Sequence, residues 1–238
     1  MSRILLVTGT DTDVGKTVVT ALLNKYLNEC GVMSVTQKWV QTGSKSGHDD
    51  ISRHMGSVHD GERTLAGYRG LMVPYTLAHA ASPHLAAVLE GVEINAATII
   101  ENSRELSRHF DVVLSEGAGG LMVPVNADVT ILDIAEILGA DVLVVAANRL
   151  GCINHTLLTI NELKRRSVGI VGVVFNRTSP EGDEIVLRDN PKMISRMSGV
   201  EVIGELPFFL DEGTLYEAFR PIGVRVLEIL KKGDRNGK

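Results

Sequence analysis

The chain has 238 residues, 44% of them apolar, enough to bury a substantial core, and no Pro/Gly/Ser-rich linker divides it, so a single domain is expected. A formal net charge of −5 gives no general attraction to nucleic acid or to an anionic membrane, and no apolar run reaches membrane-spanning length. Two cysteines, Cys30 and Cys152, build neither a disulfide framework nor a Cys-rich zinc site; with strand-like sequence starting within three residues of Met1 and no room for a signal peptide, a cytoplasmic location is expected.

The first apolar, β-branched run, at 4–8, reads as a strand, and residues 9–17 follow it as Gly-Thr-Asp-Thr-Asp-Val-Gly-Lys-Thr. Strand, phosphate-sized loop and helix start (16–30) arrive in that order. Free backbone N–H groups and the positive end of the helix dipole then converge on one anion. Lys16 adds a full charge and Thr17 offers a hydroxyl to Mg²⁺. Five residues separate Gly9 from Gly15, one more than in the common phosphate loop, so a variant of that loop is expected. An ATP- or GTP-handling protein follows from this segment.

Further runs recur at 32–40, 112–115, 142–147, 170–175 and 202–206, each nearly continuous as suits strands buried on both faces. Between them, residues 83–90, 96–110, 130–138, 153–166, 184–197 and 215–230 have helical spacing. The alternation predicts an α/β fold: one doubly wound, mainly parallel sheet flanked by helices, similar to P-loop NTPases, with binding loops at the carboxyl ends of the strands. Polar, glycine-rich sequence does stand there. The second strand ends at Lys38 and enters Trp39-Val40-Gln41-Thr42-Gly43. The third gives Glu116-Gly117-Ala118-Gly119-Gly120, the fourth Asn148-Arg149-Leu150-Gly151-Cys152, the fifth Asn176 and the sixth Leu206-Pro207-Phe208.

These motifs, with Leu-Gly-Cys-Ile-Asn-His at 150–155 the most specific, resemble the dethiobiotin synthetase family in order and over most of the chain. The resemblance implies that 7,8-diaminononanoate takes up CO₂ as a carbamate, that ATP phosphorylates the carbamate to a carbamic-phosphoric anhydride, and that the neighbouring amine closes a cyclic urea, releasing ADP and phosphate. It also implies the residue roles. Asp13, Val14, Gly15, Lys16, Thr17 and Val18 would cradle the phosphates. Lys38 would stand between carbamate and γ-phosphate, where two anions must meet. Thr42, Thr12, Asp13, Ser82, Pro83 and Gly117 would meet the diamine or carbamate. Asn176 and Pro207 would meet adenine. Thr17 and Glu116 match the magnesium ligands, with a third carboxylate from Asp49 or Asp50, of which Asp50 is favoured because the residues after it read as a helix start.

Gly151, Cys152, Ile153 and Asn154 open a helix whose free N–H groups suit a carboxylate. In the family this helix start comes from the neighbouring subunit, implying a homodimer with shared active sites, small-molecule partners and neither nucleic acid nor membrane. Cys152 at a helix start is open to a lowered pKa, although close backbone approach is the better account of a small residue there. Trp39 departs from the family's proline: its indole either crowds the pocket or packs against a neighbouring helix. A regulatory or partitioning ATPase is the alternative, but that class relies on a second lysine inside the loop, where this chain has Asp11 and Asp13.

Overall fold

A computed structural model describes residues 2–44, 65–208 and 211–233. The elements in chain order are β1 (Arg3–Gly9), α1 (Lys16–Glu29), β2 (Ser34–Lys38), β3 (Val40–Gln41), a 3₁₀ turn (Ala66–Tyr68), α2 (Arg69–Met72), β4 (Tyr75–Thr76), α3 (Pro83–Glu90) and α4 (Ala96–His109). Then come β5 (Val112–Gly120), α5 (Ile131–Leu138), β6 (Asp141–Ala147), α6 (Cys152–Arg165), β7 (Ile170–Asn176), α7 (Glu184–Ser198), β8 (Val202–Leu206) and α8 (Glu212–Gly233).

Six strands form a sheet in the order β2-β5-β1-β6-β7-β8, and every pairing between them is parallel. The doubly wound α/β expectation is met. Burial explains the sequence pattern: Leu5 and Val7 of β1 join the core under α1 and α8, while Leu6 between them joins the core under α3 to α7. A strand covered on both faces needs apolar residues at consecutive positions, which removes the alternation seen in half-exposed strands.

The run at 32–40 is not one strand. It enters the sheet at Ser34 and leaves after Lys38, and Val40–Gln41 pairs instead with Tyr75–Thr76 in a separate two-stranded sheet. Trp39 causes the break. Its indole is fully buried among Val40, Leu77 and Ala86, and its Nε1 donates to Gln37 Oε1 at 3.1 Å.

Helix starts divide into two groups. Asn95, Thr130 and Asp183 cap α4, α5 and α7 with their side chains, Thr130 through a full capping box with Asp133. α1, α3 and α6 begin at Gly15, Ser82 and Gly151 with no side-chain cap. Their first N–H groups are not taken up by a capping side chain.

Candidate active site

The phosphate loop is held from below at several points. Thr10 N donates to the carbonyl of Val145 at 3.0 Å, tying the loop to β6, and Val14 is buried in the core beneath α1. Thr12 and Asp13 face solvent, and half-buried Val18 packs on the same core. Asp13 adopts a left-handed φ of 54°, a conformation a non-glycine residue holds only when its surroundings enforce it. At Gly15, φ is 100° and a Cβ would stand 2.2 Å from Asn176 Nδ2, so a side chain there would be strained and would push the Asn176 amide away. Lys16 is buried, and its Nζ donates to the Asp11 carbonyl at 2.9 Å.

Beside the loop, three residues meet on one oxygen. Lys38 and Glu116 are register partners on β2 and β5, and Lys38 Nζ lies 2.5 Å from Glu116 Oε1. Thr17 Oγ1, from the first turn of α1, donates to the same oxygen at 3.0 Å. Lys38 is 5% exposed and Glu116 0%. Removing two charges from water costs several kcal/mol each, so such a pair is not a cheap source of stability and calls for another explanation. The Trp39 question resolves at the same place: the indole points into the core, and Lys38, one residue earlier, points to the phosphate-loop helix.

Gln37 is the polar hub behind this cluster. Its Oε1 accepts from Ser103 Oγ at 2.6 Å, Ser115 Oγ at 3.2 Å and the Trp39 indole, and its Nε2 donates to the Leu71 carbonyl at 3.1 Å. A polar residue inside an apolar run was the available signal for it.

Thr42 lies half-buried just past β3. Its neighbours bind the segment before α3: Gly43 N donates to the His79 carbonyl at 3.0 Å and Ser44 N to the Leu77 carbonyl at 3.3 Å. The Thr42 loop is thereby linked to the strand of chain that leads into Ser82 and Pro83. Gly117 continues β5 past Glu116, where a Cβ would already touch Ile131 at 3.0 Å. Asp49 and Asp50 lie outside the described residues.

At the far side, Gly151 (φ 91°) opens α6 with no atom of the described residues within 4 Å of where a Cβ would be. Leu150 before it is 86% exposed, Asn154 is exposed and Ile153 half-buried. Arg149 reaches back from this loop to Asp11 of the phosphate loop at 3.3 Å, a link that motif reading did not bring out. Between the phosphate loop, the segment after β5 and α6 opens a cavity of about 610 Å³, bounded by Asp11 and Thr12, by Leu121 to Val123 and by Leu158 on α6.

Cys152 does not have the lowered pKa that a helix start allows. It is 3% exposed, and burial pushes its thiol up. In the native protein only Cys30, which is exposed, is expected to react rapidly with Ellman's reagent, and the Cys152 thiol only after denaturation. Two fast thiols per chain would contradict that burial.

Asn176 ends β7 beneath the phosphate loop. Its Nδ2 donates to the Val14 carbonyl at 3.1 Å, and its buried Oδ1 has no hydrogen-bond partner among the described residues. Pro207 and Phe208, after β8, are exposed.

A family model described as an AAA domain matches residues 3–211. Among curated proteins, the chain is 41% identical to the ATP-dependent dethiobiotin synthetase of Anaeromyxobacter sp. (strain K), over 87% of this chain and 90% of that protein. It is 37% identical to a second protein of that name from Haemophilus influenzae, over 79% and 97%. Among solved structures, the cell division ATPase MinD of Pyrococcus furiosus superposes with TM-score 0.59 at 20% identity, over 96% of this chain and 100% of that one. Cobyrinic acid a,c-diamide synthase from Mycobacterium smegmatis, with bound ADP and magnesium, gives 0.58 at 16%, over 98% and 97%. At such identities the structural likeness concerns the fold alone.

Proposed function

Since the chain belongs to the family of ATP-dependent dethiobiotin synthetases, ring-closing ligases, we propose that two buried lysines, Lys16 and Lys38, bring the carbamate of 7,8-diaminononanoate against the terminal phosphate of ATP. The observation that carries this is the meeting of Lys38, Thr17 and Glu116 on one carboxylate oxygen. It puts a second cation, from a different strand, at the first turn of the phosphate-loop helix.

In this reading the N–H groups of residues 12–17 and the positive end of α1 hold the phosphates, aided by Lys16. The amine of the substrate adds to CO₂ and loses a proton, giving a carbamate. A carbamate oxygen attacks the γ-phosphorus and ADP leaves. The second amine then attacks the carbonyl carbon, phosphate leaves, and the urea ring closes. Lys38 draws carbamate and γ-phosphate together, lowering the repulsion between two anions in a site where water no longer screens them. Thr42 orients the carbamate or the diamine from the opposite loop.

Magnesium fits the oxygen donors. Thr17 hydroxyl and Glu116 carboxylate are hard ligands already 3.0 Å apart. With Asp50 as third ligand, the ion would neutralise charge on the phosphate oxygens. ATP preference is assigned to Asn176 and Pro207: the unpaired Oδ1 of Asn176 suits the amino group of adenine.

The substrate tail is assigned to the cavity beside Asp11 and Thr12, whose Leu121, Met122, Val123 and Leu158 walls suit methylene groups. Its carboxylate is assigned to the uncapped start of α6 in a second subunit. Exposed Met122 and Leu158 at this cavity, with exposed Leu150 just before the start of α6, support a homodimer with shared sites, because large apolar residues gathered on one side are better covered than solvated. A single domain working in the cytoplasm completes the reading.

Purified protein given diaminononanoate, bicarbonate and Mg-ATP is expected to form dethiobiotin and ADP in equal amounts. ATP binding without ring product would reject the proposal. For the helix start, Gly151→Leu is expected to raise the KM for diaminononanoate by about tenfold or more while the KM for ATP stays within about threefold, because the bulk blocks N–H groups assigned to the carboxylate. Equal changes in both constants would remove α6 from the substrate site.

A further inference from the structure

The ends of β6, β7 and β8 are joined to α7 by one polar network. Glu205 Oε1 accepts from Arg177 Nε at 2.8 Å and from Asn148 Nδ2 at 3.0 Å. Asn148 Nδ2 also donates to the Leu187 carbonyl at 2.8 Å, while its Oδ1 accepts from Asn190 Nδ2 at 2.8 Å. Arg177 holds both oxygens of Glu184 with its remaining nitrogens, at 2.7 and 3.2 Å. Backbone bonds run alongside: Asn148 N to the Asn176 carbonyl at 2.9 Å, and Arg177 N to the Leu206 carbonyl at 2.9 Å.

Asn148 and Asn190 are buried, and aliphatic residues of similar volume would fill their places without any need for partners. What the polar set supplies instead is direction. Each bond has a preferred line, so three strand ends and a helix are held at one spacing through buried Asn148 and Asn190 and the partly exposed Arg177–Glu205 pair. The two points locked together are Asn176 and the Leu206–Pro207 backbone.

We propose that Glu205, working with Asn148 and Arg177, is a positioning residue for nucleobase choice. It fixes Asn176 and Pro207 at the separation that receives the amino edge of adenine. Guanine presents a carbonyl oxygen at that edge, and a rigidly held Asn176 Oδ1 would face it acceptor to acceptor. The bond from Nδ2 to the Val14 carbonyl keeps the Asn176 amide turned with Oδ1 outward, and a slack network would let the end of β7 shift so that this oxygen no longer meets the adenine amino group squarely. This inference rests on the assignment of Asn176 and Pro207 to the base.

The test is steady-state dethiobiotin formation by the full chain with ATP and with GTP, for the native protein, Asn176→Ala, Glu205→Ala and Glu205→Gln. Glu205→Ala is expected to lower the preference for ATP over GTP by about tenfold, the worth of one well-placed hydrogen bond. The loss falls on the KM for ATP, with kcat held within about threefold. Glu205→Gln keeps an acceptor oxygen and restores most of the preference, which a merely structural role would not require. Should Glu205→Ala fail to fold, Arg177→Lys, which loses the forked geometry, carries the same expectation. An unchanged ATP-to-GTP ratio in a folded Glu205 or Arg177 variant, with Asn176→Ala still lowering it, overturns the positioning role alone. A native protein without ATP preference, or an Asn176→Ala variant that keeps it, overturns the base assignment and this inference with it.

Discussion

Lys38→Ala is expected to abolish dethiobiotin formation, with kcat down by about 10³-fold or more, while ATP binds with its affinity changed by less than about threefold. The asymmetry follows from position. In the proposed site Lys16, within the phosphate loop, contributes to binding in the ground state, whereas Lys38 comes from a separate strand and stands on Glu116, which also accepts from Thr17 of α1. In the proposed mechanism the charge of Lys38 counts most where carbamate and γ-phosphate converge, which happens only on the way to the transition state. Single-turnover quench assays with labelled ATP, beside calorimetric titration of the nucleotide, read the two effects separately. Near-normal turnover would remove Lys38 from the reacting centre; a parallel loss of ATP affinity would make it a phosphate-binding residue.

Glu116→Ala is expected to act on stability as well as on catalysis. Glu116 is fully buried, accepts from Thr17 and faces the buried Lys38 ammonium. Deleting one member of a buried ion pair costs about 3–5 kcal/mol, because the other charge stays in a poorly solvated place. For a protein whose total stability is on the order of 5–15 kcal/mol, that is a large fraction, visible as a lowered urea midpoint with an unchanged slope. Turnover is expected to fall in the same variant, because the proposed magnesium ligand is lost. The double change Lys38→Met with Glu116→Leu should be more stable than either single deletion and still inactive. Such a result would show that the pair is kept for chemistry. A double variant less stable than Glu116→Ala would instead make the pair part of the fold's own support.

Much of this arrangement was legible in the chain. The strands stood out because burial on both faces writes continuous apolar runs, and the loops that follow them hold the polar residues. The break after Lys38 was not legible. Apolar Val40 and aromatic Trp39 prolong the run on paper, and only packing shows that Trp39 turns into the core and sends Val40 to pair with Tyr75. Strands of two residues, such as Tyr75–Thr76, are too short to carry a period.

The site divides in the same way. Lys16 and Thr17 are marked by the phosphate-loop pattern at the start of α1, Lys38 and Glu116 by their places near strand ends, and Lys38 and Glu116 prove to be register partners. Cys152 was ambiguous, because a helix start lowers a thiol pKa while burial raises it, and sequence gives the first effect without the second. Arg149 and Glu205 were passed over since their partners, Asp11 and Arg177, lie 138 and 28 residues away. Long-range pairing between exposed or half-exposed charges leaves no local pattern.

In the proposed reaction, ammonium groups from two chain segments gather two mutually repelling anions. A crystal structure of the chain with diaminononanoate, CO₂, magnesium and a non-hydrolysable ATP analogue would show this arrangement. Lys38 Nζ is expected within hydrogen-bond distance of both the carbamate and a γ-phosphate oxygen, and Lys16 on the phosphates. A complex in which Lys38 stays on Glu116, with the carbamate bound elsewhere, would contradict it.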